Sequence, residues 1–241
     1  MLFRSAAPDA AQSLAFNYEP NARPRKTYTG SGSGIWRATP TYDWVPLDSA
    51  SSLSWITAPL ARTTAIAGPG SVDLTLASTA TDTDLEVTLT EVRPDGSEVY
   101  VQSGWLRASH RKLDAAGSTV TDPRQTHLEA DAKPLVPGRA AKVRVALFPV
   151  AHVFRADSRI RISVQAPGGN RPLWTFETIQ NTEPVRNTIV TGGPMASRLV
   201  LSQVRTPKGL PVPVPACPSL RGQACRTYVA PAVQTPGPAP K

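Results

Sequence analysis

Apolar and polar residues alternate with a period of two along several short segments of the chain. The alternation is clearest at Val72, Leu74 and Leu76, where Asp73 and Thr75 lie between the apolar positions. Because successive side chains of a strand point to opposite faces, this period predicts strands with one buried face. The segments predicted as strands are 72–76, 85–89, 99–101, 143–147, 160–164, 173–178, 187–190 and 199–204.

The connections between these segments are typical of a β-sandwich. Residues 93–97 read Arg-Pro-Asp-Gly-Ser, a hairpin turn in which proline presets φ and glycine accepts a positive φ. Residues 108–140 show no clear alternation and predict a long excursion, with an extended piece at 126–129 and a turn at 134–138. The spacing of about eight short strands predicts an all-β, jelly-roll β-sandwich over residues 61–204.

Both ends of the chain differ from this central region. Residues 1–60 are predicted to form an irregular segment that packs on the sandwich or on a partner domain. The Gly-Ser-Gly-Ser-Gly run at 30–34 is predicted to be a loop. Residues 205–241 form a basic tail rich in proline, which we expect to be disordered because it can bury little apolar area.

Large aromatic residues are concentrated in the irregular N-terminal segment. Trp36, Tyr42, Trp44 and Trp55 lie within twenty residues of one another. Rings of this size are costly to leave in water, so they should pack on an apolar surface. That surface is either the core of this domain, which the composition favours, or a second domain.

Composition and charge exclude some classes of function. The chain has 241 residues, a net charge of +8, 25 prolines and 16 glycines. The tail carries five basic side chains and no acid, whereas residues 51–204 carry 16 basic and 14 acidic ones. A nucleic-acid surface should place its excess charge on the folded body, so nucleic-acid binding is not expected.

The sequence also bears on membranes and compartment. It contains no run of eighteen apolar residues, so no membrane span is expected. The first nine residues lack an apolar core followed by a cleavage site. We therefore expect a cytoplasmic protein, or one whose true N-terminus lies upstream.

Evidence for metals, cofactors and disulfides is weak. Cys217 and Cys225, the only two cysteines, could close a small disulfide loop or remain free thiols, and the latter is slightly favoured. Asp82 and Asp84 could attract calcium, but acids at the start of a strand more often cap a turn. We expect no metal and no cofactor.

The sequence contains no recognisable catalytic machinery. A serine hydrolase needs a nucleophile on a tight strand-to-helix turn together with a base and an orienting acid. The run at 30–34 has glycine at the position of the nucleophile. His110, His127 and His152 have no catalytic partners near them in sequence, so each is predicted to be structural. We therefore expect no catalytic residue in this chain.

Several longer strings resemble a known family. In their order and spacing they are similar to the C-terminal domain shared by Xaa-Pro dipeptidyl-peptidases, cocaine esterase and α-amino-acid ester hydrolases. The resemblance runs from about residue 14 to residue 204. The strings that carry it are 68–74 (Gly-Pro-Gly-Ser-Val-Asp-Leu), 78–85, 92–96, 104–109 (Gly-Trp-Leu-Arg-Ala-Ser), 149–155, 158–162, 174–176 and 187–188.

The resemblance implies a non-catalytic jelly roll of the galactose-binding-like type. In such enzymes it packs against an α/β-hydrolase domain with a Ser-His-Asp triad and helps to wall the acyl pocket. No triad position exists in this sequence, which implies a truncated or split gene product, or a catalytic half on a separate chain. The candidate docking residues are Trp36, Trp44, Trp55, Trp105 and Arg107.

Two other functions remain open at this point. Jelly rolls also serve as lectin-like modules, and Trp36, Trp44 and Trp105 could stack on sugar rings. A stand-alone esterase would need an unrecognised triad built from a serine and one of the isolated histidines. The oligomeric state and the parent enzyme's substrate do not follow from the sequence.

Overall fold

The structure is a computed structural model of the whole chain. It describes residues 10–24, 28, 30, 32–38, 40–168, 177–210, 214–217, 223–232 and 234–240. Within these ranges, no helix has both the length and the apolar character needed to cross a membrane.

The described residues form eleven strands and three short 3-10 helices. The strands are β1 (Gln12–Asn17), β2 (Ser52–Ile56), β3 (Thr64–Ser78), β4 (Asp84–Val92), β5 (Ser97–Arg107), β6 (Ala141–Phe154), β7 (Arg159–Gln165), β8 (Arg186–Val190), β9 (Arg198–Val204), β10 (Cys225–Thr227) and β11 (Gly237–Pro238). The 3-10 helices are η1 (Gly32–Trp36), η2 (Ala108–His110) and η3 (Glu129–Asp131).

Two antiparallel sheets face each other. The first has the order β11-β1-β8-β3-β6, with β9 also paired to β3, and the second has the order β10-β5-β4-β7-β2. Apolar side chains of both sheets meet between them, and Leu76, Val87, Val145 and Ile189 are all fully buried. The predicted all-β sandwich is therefore confirmed, and the described residues add four strands that the sequence did not indicate: β1, β2, β10 and β11.

The β4–β5 hairpin forms at the predicted turn. The Arg93 amide donates to the Ser97 carbonyl at 2.8 Å, and the Gly96 amide donates to the Arg93 carbonyl at 3.0 Å. Gly96 has a φ of 82°, a conformation that glycine adopts without steric cost. This turn sets the register in which β5 runs back along β4.

The two sheets approach each other very closely at Gly104 of β5. A Cβ atom at this position would lie 1.8 Å from the carbonyl oxygen of Ala146 in β6. Only glycine allows β5 to pass the backbone of β6 at this separation. Gly104 therefore positions the neighbouring Trp105 at the crossing of the two sheets.

The N-terminal segment is more regular than predicted. Residues 1–60 were expected to be irregular, but β1 and β2 each complete an edge region of a sheet. Phe16 of β1 is only 1% exposed and belongs to the central core. Part of the 30–34 run is a 3-10 turn rather than a loop. Short strands of five or six residues carry too few alternating positions to stand out from their surroundings.

The tail also contains structure where disorder was expected. β10 pairs with β5, β11 pairs with β1, and a disulfide joins Cys217 to Cys225, which were expected to be free thiols. Edge strands of the sandwich supply backbone partners that compensate for the tail's small apolar area. The predicted strand at 173–178 lies largely outside the described residues, and 177–178 are not in a strand.

Candidate functional site

The outer face of the second sheet is polar and yet buried. Leu85, Val87 and Leu89 of β4 face the core, so the residues between them face outward. Buried polar residues of this outer face, termed here the covered face, are Glu86, Thr88, Thr90, Glu98, Ser103, Arg161, Ser163 and Gln165. Buried polar groups need partners, and segments from both ends of the chain supply some of them.

Glu98 is the centre of a buried ion network on the covered face. Arg161 of β7 donates through Nη1 to both carboxylate oxygens of Glu98, at 3.0 and 3.1 Å. Arg226 of β10 donates through Nε to Glu98 Oε2 at 2.7 Å. Burial lowers the pKa of the Arg226 guanidinium, while Glu98 acts in the opposite direction. One carboxylate thus compensates two buried cations from different elements.

Trp44 packs within this domain. Its side chain is 5% exposed and lies edge-on to Tyr100 at a centroid distance of 6.1 Å. The guanidinium of Arg226 lies over the Trp44 ring at 3.9 Å, a cation–π distance. The own-domain interpretation therefore holds for Trp44. Since this ring is buried, Trp36, Trp44 and Trp105 do not form an exposed platform for sugars.

Trp55 and Trp36 have opposite surroundings. Trp55 of β2 is partly buried and packs against the central core. Trp36 ends η1 and is 69% exposed, although its neighbour Ile35 is buried. The buried Ile35 fixes η1 to the domain while Trp36 projects from it. Of the three N-terminal tryptophans, only Trp36 presents most of its ring to the outside.

Trp105 forms an aromatic pair where the two sheets cross. Its ring lies 5.7 Å from that of Phe148 in β6, with an interplanar angle of 41°. Phe148 is 52% exposed, and Trp105 is half-buried. We call these two residues the corner pair. The sequence analysis identified Trp105 but missed Phe148, because no sequence signal shows that β6 passes next to β5.

Arg107 is engaged inside the domain. Its Nε and Nη2 donate to the two carboxylate oxygens of Asp84 at 2.8 and 3.1 Å. These hydrogen bonds raise the pKa of Arg107. The same carboxylate accepts from the Tyr18 hydroxyl at 3.3 Å and the Ile179 amide at 2.8 Å. Arg107 therefore ties β5 to β4 and indirectly to two loops, with about 40% of its side chain exposed.

Asp82 and Asp84, the weak calcium candidates, both have structural roles. Asp82 Oδ1 accepts from the backbone amides of Thr83 at 2.9 Å and Ser109 at 2.8 Å. Asp84 is occupied by Arg107, as described above. Within the described residues, no group of three or more potential metal ligands comes together. The turn-capping prediction therefore holds for Asp82, whereas Asp84 forms an ion pair instead.

One histidine does have a carboxylate partner. His152 Nε2 lies 3.1 Å from Glu91 Oε2, beside a cavity of about 360 Å³. Burial alone would raise the pKa of Glu91, but hydrogen bonding and charge from His152 outweigh it, so this pKa is lowered. The described residues that line the cavity include no serine, threonine or cysteine. The Ser158 hydroxyl contacts Glu91, but Ser158 is only 1% exposed, so it is not accessible as the nucleophile that a triad requires.

The other two histidines are remote from such a partner in sequence and structure. His110 ends η2 and is partly buried. His127 is exposed and has a φ of 52°, which marks a turn in the long excursion. Neither position offers the combination of a base, an orienting acid and a nucleophile.

Curated relatives match part of the chain. A protein named as a candidate serine esterase in Mycobacterium bovis is 35% identical over 117 residues. The match covers 48% of this chain and 19% of that protein. A corresponding protein of Mycobacterium tuberculosis matches with the same identity and coverage. The aligned region thus spans about a fifth of the length of these relatives.

Solved structures show the same fold. A hydrolase of the CocE/NonD family from Staphylococcus aureus aligns with a TM-score of 0.62 and 20% identity, over 83% of this chain and 34% of that one. An aminopeptidase from a marine-sediment archaeon of the Thaumarchaeota aligns with a TM-score of 0.61 and 19% identity over the same shares. An α-amino acid ester hydrolase aligns with a TM-score of 0.57 and 17% identity, over 80% and 33%.

A family model supplies the assignment. It matches residues 7–200, which include β1 to β8 and the first residues of β9. The family model describes the domain as non-catalytic. In the solved neighbours this fold makes up about a third of a longer chain. The chain belongs to the family of the X-Pro dipeptidyl-peptidase C-terminal non-catalytic domain.

Proposed function

We propose that this domain docks onto an α/β-hydrolase catalytic domain through the corner pair and Trp36. The observation that carries the proposal is the corner pair itself. Phe148 is 52% exposed at a rigid crossing of two sheets, and Trp105 supports its ring. Rigid, partly exposed aromatic rings are typical anchors of protein interfaces.

The surroundings of the corner pair favour a preformed docking surface. Gly104 brings β5 against the backbone of β6, so Trp105 is held by both sheets. Arg107, two residues further along β5, is about 40% exposed while its guanidinium is bound to Asp84, so it offers contact area without an unpaired charge. A surface that needs no rearrangement loses little entropy on binding.

The docked domain would help to wall the acyl pocket of the catalytic partner. Excluding water from a pocket strengthens the electrostatic interactions inside it, and a β-sandwich can do so without contributing a reacting group. The partner would be an α/β-hydrolase of the esterase or dipeptidyl-peptidase type, on the same chain or on another.

The docking test uses the catalytic portion of the Mycobacterium bovis relative, produced without the segment that matches this chain. We expect the two proteins to co-purify and the KM for a p-nitrophenyl ester to change when this domain is added. The double variant Trp105→Ala/Phe148→Ala should weaken the affinity at least about tenfold, as expected for hot-spot residues.

The matched control is the double variant Leu128→Ala/Val136→Ala. These side chains are 59% and 56% exposed and lie in the long excursion. The control should bind like the parent. Equal losses in both double variants would contradict docking through the corner pair. Failure of the parent domain to bind or to change the KM would contradict the docking role itself.

A further inference from the structure

Part of the C-terminal tail lies along the β5 edge of the covered face as a strap. We use this name for residues 214–217 and 223–228, which lie beyond the residues matched by the family model. Within the strap, β10 extends the second sheet by pairing antiparallel with the edge strand β5. The Tyr100 amide donates to the Ala224 carbonyl, and the Tyr228 amide donates to the Gly96 carbonyl, both at 2.9 Å.

Side chains of the strap are anchored in the covered face. Arg226 binds Glu98 at 2.7 Å, and its own side chain is only 8% exposed. Its Nη1 donates to the carbonyl of Val45 in the N-terminal segment. Arg161 lies 5.3 Å from the centre of the Tyr228 ring. The strap therefore contacts both the sheet and the segment that lies over it.

The strap also completes the burial of Trp44. Ala224 packs with Trp44 and Tyr100 in one small apolar cluster, and Tyr42 packs against it. Arg226 covers the face of the Trp44 ring at 3.9 Å. Trp44 thus contacts both Tyr100 of β5 and the strap. If the strap left the sheet, Trp44 would lose both its cation and part of its apolar cover.

The Cys217–Cys225 disulfide joins the two described parts of the strap. Cys225 is the first residue of β10 and precedes the Arg226 anchor. Cys217 follows Pro215, whose carbonyl accepts from Arg93 Nη1 at 2.7 Å. β10 is only three residues long, and a strand so short is marginal without a further constraint. The disulfide supplies that constraint by closing the loop between the two anchors.

We propose that the strap is a redox-gated clamp that holds the N-terminal aromatic segment on the covered face. A dithiol reductant transfers two electrons and two protons to the Cys217–Cys225 disulfide. The products are two cysteine thiols and the oxidised, cyclic disulfide of the reductant. The clamp is closed in oxidising surroundings and loosened where dithiols prevail. This inference is independent of the docking role and needs no hydrolase partner.

The test follows amide hydrogen exchange of the full chain with and without dithiothreitol. In the oxidised protein, the Tyr100 amide should be protected from exchange by its bond to Ala224 of the strap. The Tyr228 amide should be protected by its bond to Gly96 of the hairpin. After reduction we expect their exchange to quicken at least about tenfold, because the loop constraint is lost. Acrylamide quenching of tryptophan fluorescence should rise in parallel in the parent and much less in Trp44→Phe, because Trp44 is one of five tryptophans. Peptides containing Val87 and Val164 should not change, which shows that the core remains folded.

Two variants separate the contribution of the disulfide from that of the ion network around Glu98. Cys217→Ser/Cys225→Ser without reductant should behave like the reduced parent and should not respond to dithiothreitol. Arg226→Gln keeps the disulfide but should also quicken exchange at Tyr100 and Tyr228, whereas the exposed Arg205→Gln should not. Two titratable thiols in the unreduced native protein would overturn the proposal. Unchanged exchange after verified reduction would overturn it as well.

Discussion

Single residues determine how the two sheets meet. Gly104 is the clearest case, since a side chain of any size would collide with the carbonyl of Ala146. The glycine is part of the 104–109 string that supports the family resemblance, and the structure supplies its physical reason. A backbone-to-backbone contact of this kind cannot be relieved by rotating a side chain.

The variant Gly104→Ala should therefore destabilise the domain by about 1–3 kcal/mol or more, as overpacking in a core does. The loss would be measured as the free energy of unfolding in urea. Gly237→Ala is a suitable control, since a Cβ there would meet nothing nearer than Ser13 Oγ at 3.8 Å. Equal stability of the Gly104→Ala variant and the parent would mean that β5 and β6 are further apart than described.

Individual residues also show which parts of the candidate site could be predicted from the sequence. Trp105 was found because its string resembles a family motif, and Trp36 because large rings in a loop need a surface. Glu98, Arg161 and Arg226 were missed, because their partnership depends on pairing between elements distant in sequence. The charge pattern counted Arg226 as part of a basic tail, whereas its side chain is nearly buried against Glu98.

At the scale of elements, the longer strands could be predicted from the alternation of apolar and polar residues. The short strands β1, β2, β10 and β11 could not. β4 and β7 carry several alternating apolar residues, which makes their period evident. β1 and β10 have six and three residues, too few for a period to be recognised. Their pairing depends on backbone hydrogen bonds to neighbouring strands, which side-chain patterns do not encode.

The role of β1 can be tested through Phe16. This ring is 1% exposed in the central core, so Phe16→Ala should cost about 3–5 kcal/mol of unfolding free energy. Phe148→Ala makes the same chemical change at a position that is 52% exposed and should cost far less. Thermal or urea unfolding of both variants checks the contrast. Similar losses at the two positions would contradict the placement of β1 inside the sandwich.

At the scale of the whole molecule, a few buried carboxylates link separate parts of the fold. Glu98 joins β5, β7 and the strap, and Asp84 joins two strands to two loops. Glu91 of the second sheet contacts the first sheet through His152. Each of these carboxylates therefore connects parts of the fold that lie far apart in the sequence.

The contribution of Glu91 to stability can be tested by changing the pH, because the pKa of its carboxyl is lower in the folded protein than the ordinary value of 4.5. Such a group binds fewer protons when folded, so its contribution to stability is complete well above pH 4.5. That contribution is lost as the pH falls from the ordinary value through the lowered one. The unfolding free energy of the parent should therefore decline more steeply with acid than that of Glu91→Gln.

The comparison requires urea unfolding of both proteins at a series of pH values. At neutral pH, Glu91→Gln should be less stable than the parent by about 1–3 kcal/mol, because His152 loses a charged partner. The difference should shrink progressively as the pH falls below 4.5. Glu129→Gln, at an exposed position in η3, should follow the parent throughout. Curves for Glu91→Gln and the parent that stay parallel down to low pH would show that the Glu91–His152 contact does not link the two sheets as described.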